Sequence, residues 1–203
     1  MTSQRRRTLL LAAGAAFLTS RATQLPPVDG AKALRLGERV GPGDLVFRSG
    51  LSIESSAVLA ARAHSRFSHV GVAVNSGTGL QIVHALPHAP GFAGGVVLTS
   101  WPAFAMAADV HAIAAFRVAH AGDSERARIA DSALQLLGTP FNSGLELATG
   151  HGVYCTQLAL SAVASGDPSI KHYVHPSPVA FLPDPVYLPD SLLDWPRLVE
   201  LAG

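Results

Sequence analysis

The chain contains a single cysteine, Cys155, among 203 residues. An intramolecular disulfide is therefore excluded, although exported domains ordinarily carry cysteines in even numbers. No cluster of lysine and arginine with interleaved aromatics occurs, which removes the usual footprint of nucleic-acid binding. No apolar run approaches the roughly 20 residues that a membrane-spanning helix needs. Internal repeats are lacking as well, so solenoid and propeller architectures do not apply. The composition is that of an ordinary globular domain, rich in Ala, Gly and Pro.

What is present begins at the N-terminus, MTSQRRRTLLLAAGAAFLTSRAT. Arg5, Arg6 and Arg7 form a positive region, Leu9 to Leu18 a short apolar run, and Ser20 to Ala22 a small-residue cleavage region. This is the pattern of a signal peptide over residues 1–22, with Thr23 as the mature N-terminus. Arg6-Arg7-Thr8-Leu9-Leu10 fits the twin-arginine form, which implies export of a folded, periplasmic protein. An uncleaved anchor is the alternative, and the absence of a cysteine after the apolar run excludes lipid attachment there. Without the leader the chain has 11 basic and 14 acidic residues, so the basic character of the whole sequence comes from the segment removed. Residues 23–203 suffice for one domain with a real core.

Cys155 is then an inert buried thiol, half of an intermolecular bridge, or a nucleophile. It opens the run Cys155-Thr-Gln-Leu-Ala-Leu-Ser-Ala-Val-Ala, a predicted helix stopped at Gly166-Asp167-Pro168. Cys155, Leu158, Ala159 and Ala162 fall on one face. The preceding Thr149-Gly-His-Gly-Val-Tyr154 has poor helix propensity, so the thiol sits in the first helical turn. Unpaired N–H groups and the helix dipole there favour a thiolate and could hold an oxyanion. The same apolar face also suits a structural cysteine.

A thiol nucleophile needs a base. The strongest candidates lie in GPGDLVFR, residues 41–48, and in FSHVGVAVNSGTGLQIVHALP, residues 67–87. Leu45–Phe47, His69–Val74 and Leu80–Ala85 read as strands, the last two joined as a hairpin through Asn75-Ser76-Gly77-Thr78. That loop places His69 directly opposite His84. Their common face carries Gly71, Ala73 and Ile82, small enough for a helix to approach, while Val70, Val72, Val74 and Val83 fill the other. The third member of a thiol triad must touch the base, so the pairing of His69 with His84 is informative.

Gly43-Asp44-Leu45-Val46-Phe47, Ser68-His69-Val70-Gly71 and Ile82-Val83-His84-Ala85 together resemble the core of NlpC-type cell-wall cysteine peptidases. In that family the first histidine is the base and the second orients it, but the cysteine precedes this block. Here it follows, an order similar to the circularly permuted papain-like amidases of the YiiX and YaeF group and to lecithin:retinol acyltransferase-like proteins. Gly138-Thr-Pro-Phe-Asn142 and Tyr154-Cys155-Thr156-Gln157-Leu158 resemble the YiiX group's approach to its nucleophile helix. The resemblance spans roughly residues 41–182. It departs from the YiiX pattern at His84, often acidic there, and at Gln157 in place of Glu. It implies a permuted papain-like fold and a Cys155–His69–His84 triad that cleaves an amide bond, without a cofactor or metal. Peptidoglycan-derived peptides are the implied substrates; lipid amides or esters, with acyl transfer, are the alternative.

Tyr154 could add a hydroxyl to an oxyanion or substrate site, or simply pack. Asp44 could contact substrate, or cap a turn. His151 is a rival base four residues before Cys155, whereas Gln157 points about 200° away from it. A zinc site made by the cysteine and two histidines, and a non-catalytic module binding cell-wall peptides, are the other two readings. Elsewhere Ser55–Ala63 is a predicted helix, and Val96–Thr99 and Ala112–Val118 are predicted strands. Asp123-Ser124 opens a further helix with Ala127, Ala130, Leu134 and Leu137 on its inner face. Phe116, Trp101 and Trp195 read as packing residues. The proline-rich segment 173–203 is expected to wrap the surface or wall a cleft. The class by pattern is α+β with a mainly antiparallel sheet; the sequence does not indicate an oligomeric state.

Overall fold

A computed structural model describes residues 27–50, 65–147, 151–179 and 182–203. The predicted leader over 1–22 and the predicted helix over 55–63 lie outside those residues. Within them, six strands form one antiparallel sheet in the order β4-β3-β2-β1-β5-β6. They are β1 (Leu45–Gly50), β2 (His69–Ser76), β3 (Gly79–Leu86), β4 (Gly95–Ser100), β5 (Val110–Val118) and β6 (Leu198–Glu200). Helices α1 (Gly30–Gly37), α2 (Trp101–Ala105), α3 (Asp123–Gln135) and α4 (Cys155–Gly166) complete the frame. The mixed class and the antiparallel sheet agree with the sequence pattern.

Alternation along the strands divides the core in two. Val70, Val72, Val74 and Val83 face α3 and α4, and with Phe47, Phe116, Ile129, Leu158, Ala159 and Ala162 they form the larger cluster. Val46, Ala73, Ile82, Ile113 and Ala115 face the other way, under Leu36 of α1 and Trp101 and Phe104 of α2. The small-residue face of β2 is therefore covered by α1 and α2. A helix does approach that face, as its small residues allow, but it is not α4. Helix α4 packs on the valine face, where Leu158, Ala159 and Ala162 present the larger apolar surface to bury.

The β2–β3 hairpin is tighter than the sequence suggests. Ser76 pairs with Gly79, and its hydroxyl accepts the Thr78 N–H at 3.2 Å, closing a turn over Gly77 and Thr78 alone. Val72 consequently faces Val83 and Ala73 faces Ile82. Relative to the expected pairing the register moves by two residues, so His69 and His84 are diagonal neighbours rather than opposite. A two-residue slip preserves the face of every side chain, and diagonal positions stay within reach of long or aromatic groups. Gly71 makes room for the pair: a Cβ there would lie 2.4 Å from Ile82 Cγ2 and 3.1 Å from His84 Cβ.

Other boundaries also differ. Helix α3 buries Ile129, Ala130 and Ala133, while Ala127 is exposed and Leu137 lies beyond its last turn. Gly122, not Asp123, takes the N-cap position. The segment 173–203 is more than a surface wrap: Val174, Val186, Leu188, Leu192 and Trp195 are buried, and β6 extends the sheet beside β5. Arg197 fastens it through Asp167, Glu125 and the Ala119 carbonyl. Trp101, Trp195 and Phe116 are buried packing residues, as the pattern predicted.

Candidate active site

Cys155 is the first residue of α4, directly after Tyr154 at the N-cap. The local sequence enforces this start. Gln157, the third helical residue, reaches back so that its Oε1 accepts the Tyr154 N–H at 3.1 Å. The same oxygen accepts from Asn142 Nδ2 at 3.3 Å, and Asn142 also donates to the Glu146 carbonyl. The approach to the helix pairs Val153 with Phe141 and passes through Gly152 at φ +102°. A Cβ at Gly152 would lie 2.3 Å from the Pro140 carbonyl oxygen. Glycine therefore serves both the left-handed backbone and the close approach.

Cys155 is half-buried. Burial raises its pKa, opposed by the Val70 N–H, the Thr156 hydroxyl and N–H, and its own N–H. The influence of the Val70 N–H sets the sulfur on the side of β2 next to His69, which Val70 directly follows. Pairing of β2 with β3 begins only at Val72 and Val83, so the sheet is open between them beside His69 and Val70. Cys155 comes to this opening from the α4 side.

His69 and His84 lie at the same end of the sheet, on the face beneath α2. His69 Nε2 and His84 Nδ1 are 2.8 Å apart, and His84 Nε2 lies 2.8 Å from Thr99 Oγ1. Phe104 packs against both rings at centroid distances of 5.8 and 5.0 Å. Burial holds the His69 pKa well below the ordinary histidine value, with His84 and Arg48 adding to the effect. His84 is pushed down to about 3, first by burial and then by Arg48. Both rings are neutral at pH 7. Among the described residues no hydrogen bond joins Cys155 to His69, and the Sγ contact with a side chain is to Thr156 Oγ1 at 3.8 Å.

The other predicted site residues have different surroundings. Tyr154 is buried against Val186 and Leu188, and its hydroxyl accepts the Tyr187 N–H at 2.8 Å. Burial raises its pKa, so it remains a neutral phenol. Asp44 is fully buried at the opposite end of β1, where it accepts from Gly41 N–H and from two nitrogens of Arg117. The structure does not bring it to Cys155. His151 is exposed. Among the described residues no group of three His, Cys, Asp or Glu side chains is arranged to hold a metal ion. A cavity of about 460 Å³ lined by Lys32, Arg66, His111 and Glu200 contains none of the three triad candidates.

Two neighbours escaped the sequence reading. Thr99 completes the polar chain behind His84, and Arg48 is the direct cross-strand partner of His69. Neither carries a local signature; strand register alone brings them in. Gln157 had such a signal, since Gln at the third helical position is the mark of a capping box.

No family model matches the sequence, and no curated protein matches it. Among solved structures, the metalloprotein YiiX from Escherichia coli O157:H7 superposes with a TM-score of 0.61 at 18% identity, covering 80% of this chain and 97% of that one. The fold is YiiX-like. At that identity the likeness concerns architecture alone. It agrees with the YiiX group that the order of the three sequence blocks resembles.

Proposed function

We propose that this protein is a cysteine hydrolase of permuted papain-like type, with Cys155 as nucleophile, His69 as base and His84 as the residue that orients it. The observation carrying the proposal is the 2.8 Å contact between His69 Nε2 and His84 Nδ1, made next to Val70, whose N–H acts on the Cys155 thiol. That contact occupies one nitrogen of His69 and leaves Nδ1 to act on the thiol. With Nδ1 unprotonated, His69 Nε2–H donates to His84 Nδ1, and His84 Nε2–H donates to Thr99 Oγ1. One set of tautomers thus serves the whole chain of contacts.

In the reaction, His69 Nδ1 takes the thiol proton as the sulfur attacks an amide carbonyl carbon. The C–N bond breaks, the amine leaves with that proton, and a thioester remains on Cys155. Water then gives a proton to His69 and its oxygen to the acyl carbon, the C–S bond breaks, and the acid departs as the thiol is restored. The Cys155 N–H, with the Val70 N–H beside it, is the backbone donor proposed for the oxyanion. The hydrogen bond absent between thiol and base forms as substrate closes the site, since such contacts are often long without substrate.

The leader pattern supports an exported enzyme, and peptides derived from peptidoglycan are the substrates proposed. Purified protein incubated with a muropeptide digest should release new amino termini, read by mass spectrometry. Cys155→Ala should release none. Equal release by this variant would overturn the assignment.

A further inference from the structure

We propose that Arg48 is the carboxylate-binding residue of this site, so that the preferred substrate is an amide bearing a free carboxylate close to the scissile bond. The inference rests on the reading of Cys155 as nucleophile and narrows its substrate class. Arg48 pairs with His69 across β1 and β2, and their side chains share one face. Its Nη1 donates to the Phe104 carbonyl at 2.9 Å, and the guanidinium carbon lies 4.6 Å from the centre of the Phe104 ring. Phe104 is itself fully buried. The cation is therefore held in place rather than swinging on a free stem.

That fixation consumes one nitrogen. Nε and Nη2 have no hydrogen-bond partner among the described residues, and they form the edge that matches the two oxygens of a carboxylate. Asp109, an exposed residue, lies close enough for its charge to be felt, yet it forms no ion pair with Arg48. Arg48 stands directly across from His69, one residue before Val70, whose N–H acts on the Cys155 thiol. Arg48 is also the cation that both site histidines feel. A single positive charge with one open edge fits a carboxylate better than a phosphate, which calls for more donors and more charge.

Two alkylating reagents of nearly equal size separate the possibilities: iodoacetate carries a carboxylate and iodoacetamide does not. Their rates at Cys155 are compared in the wild type, Arg48→Gln and Arg48→Lys. The iodoacetate-to-iodoacetamide ratio should fall about tenfold or more in Arg48→Gln, as expected for a lost charge-assisted contact. Arg48→Lys should retain part of the preference. In the unaltered protein, N-acetylalanine should slow iodoacetamide labelling, and N-acetylalaninamide should not, a comparison independent of how the variants fold. An unchanged ratio with no selective protection overturns the role of Arg48 and leaves the hydrolase reading standing. A wild-type thiol inert to both reagents overturns both.

Discussion

At pH 7 Cys155, His69 and His84 are all uncharged, because burial opposes ionisation of each. The thiol is not stored as a thiolate–imidazolium pair; on the proposed mechanism the proton moves only as the sulfur attacks. The same burial has a consequence for stability. The two histidines bind protons more readily in the unfolded chain, near the ordinary 6.5, than in the folded one, where His84 sits at about 3. The unfolded state therefore gains protons first, and stability falls as pH drops through that window. Above 6.5 neither residue contributes a pH slope. Denaturant midpoints should decline between pH 6.5 and 4, with a shallower decline in His84→Gln. Identical slopes in the two proteins would contradict the buried neutral histidine.

Among the elements, the loop leading into α4 and the β2–β3 hairpin set the site. Gly152 combines φ +102° with a backbone neighbour that leaves no room for a Cβ. Gly152→Ala should therefore cost about 1–3 kcal/mol of stability and slow alkylation of Cys155, both measurable on one preparation. Unchanged stability would mean that the loop has another conformation available. The hairpin shows what was legible in the sequence and what was not. Strand alternation put His69 and His84 on one face, and that survives a two-residue change of register. The number of residues in the turn depended on a side-chain bond from Ser76, which no hydrophobic pattern encodes. Which face α4 would cover was likewise a tertiary choice, decided by the larger apolar area on the valine side.

For the molecule as a whole, β4, β3, β2, β1 and β5 were readable because apolar residues and turn-forming residues delimit them. Segment 173–203 was not. Its prolines conceal a chain that buries Leu192 and Trp195 and adds β6 to the sheet edge. Long-range partners were equally hidden: Thr99 and Arg48 reach the site only through the strand order. Among the described residues no helix is long and apolar enough to cross a membrane. Together α4 and the sheet bring the Cys155 thiol and the His69–His84 pair toward one opening from opposite faces, and the proposed pairing of that thiol with His69 as base is the central claim.

That claim is tested most directly by the pH profile of iodoacetamide alkylation at Cys155 in the wild type and in His69→Ala. With His69 as base, the wild-type rate should hold a plateau from the lowered pKa of His69, below neutrality, up to the raised pKa of the thiol. The variant should follow thiol ionisation alone, its rate rising about tenfold per pH unit and falling well below the wild-type rate at pH 7. Superimposable profiles for the two proteins would contradict a Cys155–His69 pair.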